Sequence, residues 1–125
     1  MAKTRLFVSF DFNNDRSLRD LILGQARNSD SPFEVTDASL KEAAPQWDWE
    51  MKARRAITGA EKFLIMLGPY TARASGVLKE LAIASELGKP RYQVIGYTDG
   101  SSSWAVPGGG QVYRWSWDNL KAILS

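Results

Sequence analysis

The chain of 125 residues contains no cysteine and no histidine. Without cysteine there is no disulfide framework, no thiolate nucleophile and no cysteine-ligated metal site. Without histidine the usual general base, every Ser–His pair and the commonest transition-metal ligand are excluded as well. Any catalysis must therefore use carboxylates, hydroxyls, lysines, arginines, tyrosines or main-chain dipoles.

The chain also lacks a strong excess of charge and a long hydrophobic run. Its 16 basic and 14 acidic residues give a net charge of +2, which is too small to indicate a nucleic-acid partner. No apolar run approaches the ~20 residues that a membrane span needs, and the start Met-Ala-Lys-Thr-Arg has no signal-peptide core. We therefore expect a cytoplasmic protein with no nucleic-acid and no membrane partner.

Hydrophobic residues make up 44% of the chain, and their spacing predicts alternating strands and helices. Runs of β-branched and aromatic residues predict strands at Arg5–Phe12, Phe33–Thr36, Lys62–Leu67, Arg91–Tyr97 and, at a sheet edge, Gln111–Trp115. Helical spacing predicts helices from Arg16 to about Asn28, around Trp47–Thr58, at Val77–Leu87 and from Ser116 onward. This order predicts one flavodoxin-like α/β domain over residues 1–125, with a parallel sheet of four to five strands between two layers of helices.

The segment Thr98–Gly110 is rich in serine and glycine, and we expect a long, mobile loop with Gly108–Gly110 at its tip. Trp104 in this loop has no evident core partner and is a candidate lid or oligomer contact. Tyr70 and Arg73, which follow the predicted central strand, are either solvated loop residues or groups that meet a phosphate.

The predicted helix Val77–Leu87 carries one acidic residue in an unusual place. At about 100° per residue, one apolar stripe contains Val77, Leu78, Leu81, Ala84 and Ser85. Glu80 falls at the edge of this stripe rather than opposite it. Its carboxylate either snorkels to water or is partly desolvated beside a cleft, where chemistry that needs one positioned carboxylate is found.

In parallel α/β sheets, ligands bind beyond the carboxyl ends of the strands, at a switch in strand order. This rule selects four segments: Ser9–Asn13, Thr36–Ser39, Gly68–Thr71, and the connection that leads to Glu80. Each candidate also has a competing structural role. Those roles are a helix cap for Asp11, a backbone hydrogen bond for Ser9, core packing for Phe10, and an Asx-type turn for Asp37 and Ser39.

Four phosphate or nucleotide sites common on this type of fold do not match the sequence. Gly68 follows the central strand where a phosphate-accepting receiver domain needs an aspartate, and Asn13-Asn14-Asp15 is a poor flavin-phosphate loop. Neither a G-x-G-x-x-G motif nor a P-loop motif occurs.

Val8-Ser9-Phe10-Asp11, followed by Asn14-Asp15-Arg16, resembles the opening of the TIR-like proteins of bacterial Thoeris antiphage systems. Further segments follow in the order and spacing of that family: Phe33–Ser39, Ile65–Gly68 with Thr71, Val77–Glu80, and Gly88-Lys89-Pro90. The resemblance covers residues 4 to 97. Ser75-Gly76-Val77 departs from it, since these domains commonly carry a tryptophan in that stretch.

Active TIR domains cleave NAD between nicotinamide and ribose, and those of the Thoeris type make a cyclic ADP-ribose-like messenger. The resemblance therefore implies that Glu80 is the catalytic acid. It implies further that the substrate-binding residues are Ser9, Phe10 and Asp11 beside the nicotinamide and its ribose, with Asp37 and Ser39 flanking them. It also implies NAD as substrate with no separate cofactor or metal, an effector protein that senses the product, and self-association.

Two alternatives remain open at this stage. One is a non-catalytic TIR-like module that signals by protein contact, in which the polar edge of the sheet binds no substrate. The other is a nucleoside deoxyribosyltransferase-like enzyme, which also uses a glutamate on a similar sheet.

Overall fold

The computed structural model of the chain describes residues 3–11, 14–38, 46–97 and 104–124. The strands are β1 (Thr4–Ser9), β2 (Phe33–Ala38), β3 (Lys62–Leu67), β4 (Arg91–Ile95) and β5 (Val112–Arg114). The helices are α1 (Arg16–Ala26), α2 (Gln46–Gly59), α3 (Ser75–Glu86) and α4 (Trp117–Leu124), and a 3₁₀ turn spans Thr71–Arg73. The predicted alternation of strands and helices is confirmed, with β3 at its predicted bounds.

Within these ranges the five strands form one parallel sheet in the order β2-β1-β3-β4-β5. This is a flavodoxin-like order, in which the direction of winding changes between β1 and β3. β5 lies at an edge, as predicted. The expected α/β class is therefore confirmed. None of the helices in the described ranges is long and apolar enough to span a bilayer.

Alternate residues of the two central strands enter two separate cores, which explains why both strands read as continuous hydrophobic runs. Even-numbered residues such as Leu6 and Leu64 pack against α1 and α4. Odd-numbered residues such as Phe7 and Phe63, whose rings stack with centroids 5.6 Å apart, pack against α2 and α3. The sheet thus lies between two layers of helices.

Several strand ends differ from the predicted ones: β1 ends at Ser9 rather than Phe12, and β5 spans Val112–Arg114 rather than Gln111–Trp115. β2 continues two residues past its predicted end to Ala38, and an irregularity in its pairing at Leu6/Phe7 brings Asp37 opposite Phe7. β4 ends at Ile95, two residues before its predicted end, and Gly96 then passes so close to the Leu18 side chain that a Cβ there would overlap it. At the other end of the chain, Ser116 Oγ accepts a hydrogen bond from the Asn119 N–H at 3.0 Å and caps α4, as predicted.

The glycine run at Gly108–Gly110 is not a free loop tip, so that interpretation is wrong. Gln93 on β4 is 1% exposed, and its Nε2 donates to the carbonyls of Val106 and Gly110 at 3.1 and 2.8 Å. Its Oε1 accepts from the Val106 N–H at 2.7 Å. A Cβ on Gly110 would overlap the Arg91 carbonyl. Glycine is needed here because the backbone approaches β4 closely. Residues 98–103 of the predicted loop lie outside the described ranges.

Gly110→Ala is expected to lower the free energy of unfolding by about 1–3 kcal/mol, because the added methyl meets the Arg91 carbonyl at a φ of +90°. Gly24→Ala provides a matched control. A Cβ at Gly24, near the C-terminal end of α1, has nothing within 4 Å, so this substitution should raise stability by up to about 0.5–1 kcal/mol. Urea denaturation followed by circular dichroism measures both. Equal stability of the Gly110 variant and the wild type would contradict the packed turn.

Candidate functional site

Helix α3 carries Glu80 into the interior of the protein. The buried residues of this helix are Val77, Glu80, Leu81, Ile83 and Ala84. The predicted stripe is out of phase, since Leu78 is 42% exposed and Ser85 is exposed as well. Because α3 packs on both the sheet and α2, its buried face includes Glu80 and Ile83, which lie outside the predicted stripe. Glu80 is only 1% exposed, so its carboxylate does not snorkel to water from the edge of the apolar stripe.

The side chain that meets Glu80 comes from the end of β1. Ser9 is the last residue of that strand and is fully buried. Like Phe7, it is odd-numbered and therefore points to the face that α2 and α3 cover. Ser9 Oγ donates a hydrogen bond to Glu80 Oε1 at 2.8 Å. The predicted convergence of the glutamate helix on the end of the first strand is thus confirmed.

This pair lies where the fold places ligands. β1 is one of the two strands between which the winding direction changes, and Ser9 stands at its carboxyl end. A carboxylate held in a low-dielectric interior interacts more strongly with a nearby positive charge than one in water. Since the Ser9 hydroxyl fixes one of the carboxylate oxygens, the arrangement can present a preorganised negative charge to a cation that forms beside it.

A second buried carboxylate, Asp15, lies at the same edge of the sheet. It is 1% exposed, and its Oδ1 accepts a hydrogen bond from the Tyr97 hydroxyl at 2.6 Å. Its Oδ2 lies 3.5 Å from Thr71 Oγ1, and Thr71 Oγ1 accepts from the Gly68 N–H at 2.7 Å. Asp15 therefore joins the start of α1 to the segments that follow β3 and β4.

Sequence reasoning missed this cluster. Asn13-Asn14-Asp15 reads as a turn or helix cap, yet the Asp15 side chain makes no capping hydrogen bond. Its partner Tyr97 is 82 residues away, so no local pattern connects them. Gly68 is required there because a Cβ would overlap the Asp15 carboxylate, and this requirement is visible only in the structure.

Burial raises the pKa of the Asp15 carboxyl above its usual 3.8. The hydrogen bond from Tyr97 acts in the opposite direction, the nearby Asp11 raises the pKa further, and the Thr71 hydroxyl lowers it. Because the shift is upward, ionisation of Asp15 is less favourable in the folded protein than in the unfolded chain.

The remaining predicted site residues separate into three groups. Asp11 is 6% exposed, and its Oδ2 accepts a hydrogen bond from Asn14 Nδ2 at 2.6 Å. Phe10 is 2% exposed in the core between the sheet, α1 and α4, so it takes the packing role. Asp37 pairs with Phe7 through the backbone of β2, but its side chain and the whole of Ser39 lie outside the described residues. Their flanking roles stay predictions.

Among the described residues, no group of three or more carboxylates is arranged to hold a metal ion.

Asp15→Asn tests the buried carboxylate, since an amide keeps an acceptor for Tyr97 and a donor for Thr71. The stability that the protonated Asp15 carboxyl contributes in the wild type is fully present below pH 3.8. It is lost as the pH rises through the higher pKa of this group in the folded state. The difference in free energy of unfolding between the wild type and the variant should therefore move in favour of the variant between pH 3 and pH 7. Urea denaturation across this range measures it, and the exposed Asp30→Asn controls for the loss of one charge. A difference that does not vary with pH would contradict the buried, shifted carboxyl.

No protein-family model matches this chain, and no curated protein shows significant similarity to it. The functional interpretation therefore rests on the geometry of the site and on the resemblance carried by the sequence segments.

Proposed function

We propose that this protein is a TIR-type enzyme that cleaves the nicotinamide–ribose bond of NAD and makes a cyclic ADP-ribose-like messenger in antiphage defence. The observation that carries the proposal is the 2.8 Å hydrogen bond between Ser9 and Glu80. The resemblance assigns these two residues to one site, although they lie 71 positions apart in the sequence.

The chemistry of this reaction suits a chain without histidine and cysteine. When the C1′–N bond breaks, its electron pair goes to the pyridinium ring, so nicotinamide leaves neutral and no general acid is needed. The barrier lies in the positive charge that develops on the ribose, as in glycoside cleavage, and one carboxylate can stabilise that charge. A hydroxyl or ring nitrogen of the same ADP-ribose, or water, then bonds to C1′, and a hydroxyl or water loses its proton.

In this scheme Glu80 supplies the negative charge beside C1′, and Ser9 orients the carboxylate through its hydroxyl. Because Glu80 is 1% exposed, the reaction requires that the groups covering its carboxylate move apart when NAD enters. The product diffuses to an effector protein that senses it, and NAD serves as substrate rather than as cofactor. Self-association of the chain and a cytoplasmic location belong to the same proposal.

Glu80→Gln is expected to reduce nicotinamide release from NAD by about 100-fold or more, because it removes the charge that stabilises the ribosyl cation and keeps the side-chain volume. The amide can still accept the Ser9 hydrogen bond, so the fold should persist by circular dichroism. Glu86→Gln is the matched control. It removes an exposed carboxylate from the same helix, where Glu86 pairs with Arg54, and should retain full activity.

The substrate panel separates this proposal from the deoxyribosyltransferase-like alternative. NAD and a set of deoxynucleosides are incubated with the wild type and with both variants, and the released bases are quantified by chromatography. Release of bases from deoxynucleosides but not from NAD would identify a deoxyribosyltransferase-like enzyme. Nicotinamide release that survives Glu80→Gln would remove Glu80 from catalysis and with it the proposed mechanism.

A further inference from the structure

A surface cleft of about 500 Å³ lies at the carboxyl edge of the sheet, lined by Pro69, Tyr70, Ala72, Arg73 and Trp104. The first four residues belong to the connection between β3 and α3, and Trp104 belongs to the connection between β4 and β5. The cleft thus spans two neighbouring strands on the side of β3 away from β1.

The walls of this cleft expose aromatic surface. Trp104 is 66% exposed and Tyr70 is 56% exposed. Among the large hydrophobic residues that the described ranges leave exposed, these two are the aromatic ones, and the others are Leu21, Met51, Leu78 and Leu87. Two exposed aromatic rings at one concave site form a surface on which a flat ring can stack. Arg73, also exposed, adds a planar cation suited to a phosphate group.

Both walls are held by buried hydrogen bonds close to the exposed side chains. Thr71, between Tyr70 and Arg73, is fully buried and accepts a hydrogen bond from the Gly68 N–H. On the other wall, Val106 is two residues beyond Trp104 and is bonded to Gln93 through both its N–H and its carbonyl. Anchored backbones reduce the entropy lost when a ligand is bound between them.

We propose that this cleft binds a purine nucleotide, with the base stacked on Tyr70 and Trp104 and the phosphate facing Arg73. In the proposed reaction it holds the adenosine half of NAD, and this second statement rests on the proposed function. The segment that lines the cleft ends at Arg73, two residues before α3 begins at Ser75. Glu80 lies five residues further along this helix, so its Cα is ~7.5 Å along the axis from that of Ser75. One dinucleotide lying along the edge can therefore reach both places.

The test uses adenosine 5′-monophosphate and adenosine as probes in isothermal titration with the full chain. Trp104→Ala and Tyr70→Ala should each weaken binding of both probes about tenfold, and Trp104→Phe should restore most of the affinity because it keeps a ring for stacking. Arg73→Ala should weaken binding of the nucleotide but not of adenosine. Met51→Ala and Arg55→Ala remove an exposed apolar side chain and an exposed cation elsewhere, and should change neither affinity.

Kinetics with NAD then separate the two proposals. Trp104→Ala should raise KM about tenfold with little change in kcat, whereas Glu80→Gln should leave nucleotide binding unchanged. Absence of saturable nucleotide binding to the wild type, or equal affinity in the wild type, Trp104→Ala and Tyr70→Ala, overturns the cleft as a purine site. Nucleotide binding that depends on Trp104 in a protein that does not cleave NAD supports the cleft and counts against the proposed reaction. Glu80-dependent NAD cleavage with a KM that Trp104→Ala leaves unchanged supports the proposed reaction and overturns the assignment of the adenosine half of NAD to this cleft.

Discussion

Ser9 at the end of β1 donates a hydrogen bond to Glu80 on α3 in a part of the protein from which water is nearly excluded. Removing either partner alone would leave the other buried without this bond, which typically costs about 1–3 kcal/mol and more for a charged group. The contact ties one point of α3 to the end of β1, and the carboxylate lies at the point where the winding direction changes. The interpretation of the site depends on this placement.

The hydrophobic layers and the polar contacts have different tasks in this fold. Packing of alternate residues of β1 and β3 against two helical layers holds the sheet. The carboxyl edge is organised instead by buried polar side chains, Glu80 on one face and Asp15 near the start of α1. Asp15 carries a raised pKa because of its burial, so this edge is maintained against an electrostatic cost. Retaining an ionisable group in such a place is a common property of binding and catalytic edges.

The parts of the structure that follow from local pattern were predictable from the sequence. The continuous apolar run of β3 and the Ser116 cap of α4 depend on neighbouring residues alone. The phase of α3 was not predictable from hydrophobicity, because Leu78 faces solvent while Glu80 is buried against a partner from β1. The resemblance of the sequence segments nevertheless assigns Glu80 and Ser9 to one site.

The features missed in the sequence depend on long-range contacts. The Asp15–Tyr97 hydrogen bond joins segments 82 residues apart, and glycine composition does not distinguish a mobile tip from a tightly packed turn. Residue 93 illustrates how specific such a contact is. The Gln93 amide nitrogen faces two carbonyl oxygens while its oxygen faces an N–H. Glutamate is nearly isosteric, yet exchanging that nitrogen for oxygen would set three lone-pair-bearing atoms against one another. The wall that carries Trp104 thus depends on the identity of a single atom rather than on shape.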